Sequence, residues 1–219
     1  MVRAVVFDLW NTLATWPEDD SVDFRHRWAE DLGVAVEQLD EHWYAESLYA
    51  RRESGPIREA VEELYRKLGV DADVDELLDA RLELTRRSLV PVDGALATLR
   101  ELRRRERKIG LISNCTEEVA LIWQETPFAD LFDAAVFSAT ARCMKPSREI
   151  YELALSQLDV PASDALFVGD GANDELRGAR DAGLTPLLAE LDGIEPWAPV
   201  REWTGPRVTS ISQVLELVD

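Results

Sequence analysis

The chain of 219 residues carries 43 acidic and 24 basic side chains, a formal net charge of −19, and 46% of its residues are hydrophobic. That charge repels nucleic-acid phosphates and anionic membrane surfaces alike, and no apolar stretch approaches the roughly 20 residues of a membrane helix. Met1-Val2-Arg3 leads into a strand instead of a cleavable signal, and Cys115 and Cys143 lack metal-ligand spacing and read as reduced thiols, so a soluble cytoplasmic protein is expected.

In chain order, periodicity predicts a strand at Ala4 to Phe7 and then a strand-free helical region from about Asp20 to Ser88, which breaks at Gly33, Gly55-Pro56 and Gly69 divide into four helices. Pro91-Val92-Asp93-Gly94 precedes a helix over Ala95 to Arg105 with Leu96, Leu99 and Leu102 at core spacing. Strands at Lys108 to Ile112, Ala134 to Phe137, Ala165 to Val168 and Thr185 to Leu188 then alternate with helices at Glu117 to Gln124, Arg148 to Leu158, Asp174 to Ala182 and Ile211 to Val218. Asp192 to Pro206, with Trp197 and Trp203, reads as an ordered surface loop. Repeated β-α units imply an α/β fold, a Rossmann-like parallel sheet whose ligands bind at the carboxyl ends of the strands. The helical insertion reads as a cap, giving a core of 1–14 and 89–219 and a cap of 15–88.

Four strand ends carry chemistry: Asp8 to Thr12, Ser113-Asn114, Lys145-Pro146, and Asp170 to Asp174. Asp8, Asp170 and Asp174 gathered at one edge demand a cation or a cationic side chain between them. Asp170 and Asp174, four residues apart across a Gly-rich turn, can both reach one small cation, and Mg²⁺ is its natural identity because it favours oxygen ligands and bridges phosphate oxygens. Lys145, one of three lysines with Lys67 and Lys108, is the local positive centre an anionic substrate needs in so acidic a protein. Ser-Asn after a strand serves equally as helix-capping chemistry or as neutral donors to a charged transition state.

Four such motifs in this order resemble the haloacid dehalogenase-like hydrolase superfamily with a helical C1-type cap. The resemblance implies Asp8 as nucleophile, forming an aspartyl ester or aspartyl phosphate, with Thr12 orienting it. It further implies Ser113 and Asn114 at the transferred group, Lys145 neutralising nucleophile and phosphoryl, and Mg²⁺ held by Asp8, the Trp10 carbonyl and Asp170, with Asp174 further out. Phosphatases of the superfamily commonly carry a second aspartate as proton donor where this chain has Trp10, and an indole has no proton to give. The L-2-haloacid dehalogenases do place an aromatic residue there, but they are metal-independent and lack the full acidic pair. A phosphonatase-like reading would rest on Lys67, the only cap lysine. The expected activity is therefore Mg²⁺-dependent hydrolysis of a small phosphorylated metabolite. A 2-haloacid dehalogenase and a metal-binding interaction protein with vestigial turnover are the alternatives. His26, His42, Trp28, Trp43, Tyr44, Tyr49, Arg51 and Arg52 are the cap's sources of substrate selection, either histidine being able to replace the missing acid. Trp16 is a candidate for the cap entrance, Cys115 a site neighbour and Tyr151 a core residue.

Overall fold

A computed structural model describes residues 1–15, 18–194, 200 and 203–218; Trp16, Trp197 and part of the expected 192–206 loop lie outside the described residues. Strand β1 (Ala4–Phe7) is wholly buried, and its residues alternate between two apolar clusters: Val5 and Phe7 join one, Ala4 and Val6 the other. A strand buried on both faces belongs inside a covered parallel sheet. It pairs in parallel with β2 (Lys108–Ser113) on one side and β4 (Ala165–Gly169) on the other; β3 (Ala134–Phe137), β5 (Thr185–Ala189) and β6 (Arg207–Val208) complete the order β3-β2-β1-β4-β5-β6. The order reverses between β1 and β4, and at such a switch point the connecting loops part and leave a crevice above the strand ends.

Helices cover both faces. The α6 helix (Ala95–Arg104) lies against β2 and the closing 3₁₀ helix Ile211–Glu216, while α9 (Arg148–Leu158) lies on β2 and β3 and α10 (Glu175–Asp181) on β4 and β5. The predicted closing α-helix is thus a 3₁₀ segment, and β6 and the short α8 (Ser138–Ala141) carry too little periodic sequence to announce themselves. The predicted helix at 117–124 is α7 (Glu117–Ile122) continued by the 3₁₀ turn Trp123–Glu125.

Among the described residues five helices, not the four expected, stand between β1 and α6: α1 (Glu18–Asp31), α2 (Val36–Trp43), α3 (Glu46–Glu53), α4 (Ile57–Leu68) and α5 (Val74–Ser88). The extra break falls at Tyr44-Ala45, where Ala45 turns extended (ψ 135°) without glycine or proline. The turn lets Leu39 and Trp43 of α2 and Leu48 of α3 bury together. Trp28 organises this cluster. Its ring meets Trp43 edge-on at 5.1 Å, and its indole N–H donates to the Tyr65 hydroxyl at 3.2 Å. In α4 the buried set Ile57, Ala60, Val61, Leu64 and Tyr65 follows helical spacing, and Gly69 closes the helix at φ 69°. No helix among the described residues is long and apolar enough to cross a membrane.

Candidate active site

Parallel pairing fixes the site. Phe7 is level with Leu111 of β2 and Val168 of β4, and the Asp8 N–H continues the ladder to the Val168 carbonyl at 2.8 Å. The residues that follow each strand therefore emerge at one edge, and Asp8, Asn114 and Asp170 all line one crevice.

Asp8, 6% exposed, is held from two sides: Lys145 Nζ donates to Oδ1, and the Thr12 hydroxyl to Oδ2 at 3.3 Å. Lys145 itself is buried, and a second carboxylate, Glu175, accepts from the same ammonium. Burial opposes the lysine's charge, but Asp8 and Glu175 outweigh it and hold its pKa above the ordinary lysine range. Asn114 fixes the lysine's backbone reciprocally, its side-chain N–H donating to the Lys145 carbonyl at 3.0 Å and its oxygen accepting from the Lys145 N–H at 2.8 Å. Ser113 is fully buried beside it, and its Oγ makes no hydrogen bond of ordinary geometry among the described residues.

The acidic cluster differs from the expected one. Oxygens of Asp8, Asp170 and Glu175 lie within 4.8 Å of one another, while Asp174 accepts from Arg177 at 2.7 Å with its side chain 60% exposed. The loop after β4 passes through left-handed backbone at Gly171 (φ 90°), Asn173 (φ 53°) and Asp174 (φ 59°). That path aims Asp174 outward and Glu175, one residue later, inward, where Glu175 also accepts from the Gly171 N–H at 3.0 Å. Spacing alone does not separate two adjacent acids. Gly169 was the available signal: a Cβ there would sit 2.0 Å from Glu175 Oε1, so the strand must end in glycine for the carboxylate to enter. Burial, and then Asp8, push the Asp170 carboxyl up to about 6 against hydrogen bonds from the Ala172 N–H and Asn11. Burial raises Glu175 well above the carboxylate range, Lys145 opposing and Asp8 and Asp170 reinforcing. Lys145 pairs with two of these three acids, and the donor set of Asp8, Asp170 and Glu175 suits a hard divalent cation.

The helical block closes over the strand ends and encloses a cavity of about 340 Å³. Asp8, Trp10, Asn114, Cys115, Lys145 and Asp170 form its sheet wall, and Trp43, Tyr44, Tyr49, Arg52, Glu53 and Arg81 are on the opposite wall. Of the selection residues named above, Trp43, Tyr44, Tyr49 and Arg52 line it; His26, His42 and Arg51 are not among its lining residues, and Trp28 belongs to the helical core. Arg52 is buried, its guanidinium 4.3 Å from the Trp43 ring and 4.9 Å from that of Tyr49, and burial lowers its pKa. Tyr151 is core as expected, its hydroxyl donating to the Glu175 carbonyl at 2.8 Å. Glu53, buried on the cavity wall, was hidden among the many acids of a charged helical stretch.

A parallel α/β core with a strand-end aspartate, a lysine and an acidic cluster under a helical block defines a hydrolase scaffold of the haloacid dehalogenase type. Residues 2–183 match the model of the haloacid dehalogenase-like hydrolases, and the chain belongs to that family. Its relatives divide by substrate. It is 32% identical over 160 residues to the (S)-2-haloacid dehalogenase of Pseudomonas sp. strain YL, a match covering 70% of this chain and 65%, just under two thirds, of that protein. It is 30% identical over 204 residues to the ribulose-1,5-bisphosphate 5-phosphatase of Halopiger xanaduensis, covering 86% of this chain and 84% of that one. The crystal structure of a 2-haloacid dehalogenase from Pseudomonas syringae pv. Tomato shares the fold, with a TM-score of 0.72 at 24% identity over 100% of this chain and 98% of that one.

Proposed function

We propose that this hydrolase is a Mg²⁺-dependent phosphatase of a small phosphorylated metabolite, with 15–88 as a cap over a core of 1–14 and 89–219, working in the cytoplasm. One observation carries the reading. Asp8, Asp170 and Glu175 cluster together while the one ammonium among them, that of Lys145, pairs with Asp8 and Glu175, and such an acidic set favours a divalent cation and repels a haloacid carboxylate that arrives without one. In this reading Asp8, Asp170 and the Trp10 carbonyl hold the ion, with Glu175 in the position assigned above to Asp174. Bound there, Mg²⁺ supplies positive charge to the phosphoryl oxygens.

Asp8 then attacks phosphorus, forming an aspartyl phosphate as the bond to the leaving alcohol breaks, and water hydrolyses the acyl phosphate to regenerate the carboxylate. Thr12 fixes the carboxylate's rotation, and Lys145 balances its charge and that of the transferred group. Asn114 keeps Lys145 in register. Trp10, a cavity-lining indole without an acidic proton, favours a second reading, 2-haloacid dehalogenation, because a halide leaves unprotonated.

The test is hydrolysis of p-nitrophenyl phosphate with Mg²⁺ or EDTA, by the wild type and Asp8→Asn, beside halide release from L-2-chloropropionate. Metal-dependent phosphate release that Asp8→Asn abolishes is the expected result. Halide release indifferent to EDTA would transfer the protein to the dehalogenases, and inactivity in both assays would favour the interaction protein.

A further inference from the structure

In-line displacement places the leaving oxygen on the side of the phosphorus opposite the attacking atom. With Asp8 on the sheet wall, the departing alcohol faces the wall built by α1 to α5. An alkoxide leaves poorly unless it is protonated as its bond breaks, and the titratable groups on the sheet wall, Lys145, Asp170 and Glu175, cluster on the nucleophile's side. The residues lining the helical wall include Ser21, Arg25, Tyr44, Tyr49, Arg52, Glu53 and Arg81, among which Glu53 is the one carboxyl group. We propose that Glu53, carried by the cap at the end of α3, is the general acid and base of the phosphatase reaction. This rests on the phosphatase reading above.

The surroundings of Glu53 fit the role. It is 9% exposed on the wall of the 340 Å³ cavity, and its one ion pair among the described residues, from Arg52 Nε, is long at 3.4 Å. Burial raises its pKa, reinforced by Glu118 of α7 and opposed by Arg52 of its own helix and Arg81 of α5. Tyr49 and Cys115, also close, stay uncharged near neutral pH, burial raising both. An upward shift moves a carboxyl toward the protonated form from which an acid catalyst starts. In the first half-reaction the bond from Asp8 oxygen to phosphorus forms, the bond to the alcohol oxygen breaks, and the Glu53 proton passes to that oxygen. In the second, water enters from the vacated side and Glu53 carboxylate takes its proton. The water oxygen bonds to phosphorus, releasing phosphate, Asp8 carboxylate and protonated Glu53.

The experiment compares kcat/KM of the wild type, Glu53→Gln and Glu53→Asp on p-nitrophenyl phosphate, whose phenolate leaves unprotonated, and on phenyl and glycerol phosphates, whose leaving groups need a proton. Glu53→Gln should slow the latter two by about 10²–10⁴-fold, spare p-nitrophenyl phosphate to within about tenfold, and lose the alkaline fall of the pH profile; Glu53→Asp should keep that fall. Retained p-nitrophenyl phosphate turnover also reports that the variant folds. If Glu53→Gln does not fold, the wild-type profile on phenyl phosphate decides, and the absence of an alkaline fall overturns the proposal. Equal slowing of all three esters, or none, overturns it too. Phosphate release that survives Asp8→Asn would instead remove the phosphatase reading itself.

Discussion

Lys145 is the residue on which the site's electrostatics turn, because its ammonium is shared by two buried carboxylates. Replacing it by Met keeps the stem's volume but leaves Asp8 and Glu175 facing each other without a cation. Breaking a buried pair in this way costs about 3–5 kcal/mol, so urea denaturation of Lys145→Met should show a loss of that order, together with loss of turnover. The two adjacent acids after β4 provide a sharper contrast. Asp174 is mostly exposed and, among the described residues, paired with Arg177 alone, an arrangement worth about 0–1 kcal/mol, so Asp174→Ala should leave stability and Mg²⁺ affinity nearly unchanged. Glu175→Gln should weaken Mg²⁺ binding measured calorimetrically by at least about tenfold, because it removes an oxygen donor from the cluster and disturbs the lysine that pairs with Asp8.

At the scale of elements, the strand end of β4 makes the most demanding fit. Gly169→Ala inserts a methyl group 2.0 Å from the Glu175 carboxylate, which must leave its place beside Lys145 to admit it. We expect the variant to fold with a cost of about 1–3 kcal/mol and to lose most of its turnover, as thermal melting and p-nitrophenyl phosphate assays would record. The same region shows what a sequence conveys. Apolar runs such as Ala4–Phe7 and Ala134–Phe137 and the apolar stripe of α9 are read at their true boundaries, because periodicity is a local property. The positions of Asp8, Asn114 and Asp170 at one edge were legible because each directly follows a strand. Glu175 was not, since three left-handed residues decide which of two neighbouring acids turns inward, and backbone handedness at Asn173 and Asp174 leaves no periodic trace. The break at Tyr44-Ala45 escaped for a similar reason: tertiary burial of Trp43 and Leu48 selects it, with no glycine or proline to mark it.

For the whole molecule, the decisive question is what keeps the helical block seated on the sheet. Two ion pairs join α5 to the α7 region, and their burial differs enough to rank them. Arg86 pairs with Glu125 at 2.9 Å, but the side chains are 40% and 56% exposed, and solvent screening leaves such a pair worth about 1 kcal/mol or less. Arg81 pairs with Glu118 where those figures are 15% and 3%, and the second Glu118 oxygen is buried without a hydrogen bond among the described residues. Burial alone would raise the Glu118 pKa; Arg81, with hydrogen bonds from the loop at Thr116, overcomes it and holds the pKa below the ordinary 4.5. A folded-state pKa below the unfolded one gives stability that is complete above about pH 4.5 and is lost as the pH falls through the folded value. In Arg81→Met the sign reverses, for an unpaired buried carboxyl has a raised pKa and the folded state loses stability as pH rises past 4.5. Urea unfolding should therefore find Arg81→Met about 3–5 kcal/mol less stable than wild type at pH 7, the gap narrowing steadily toward pH 4, whereas Arg86→Ala should lie within about 1 kcal/mol throughout. A gap independent of pH would mean that Arg81 contributes through packing on the Trp43 ring, 5.1 Å from its guanidinium, and not through Glu118. Because Arg81 also lines the cavity, its loss should be accompanied by a higher KM for p-nitrophenyl phosphate.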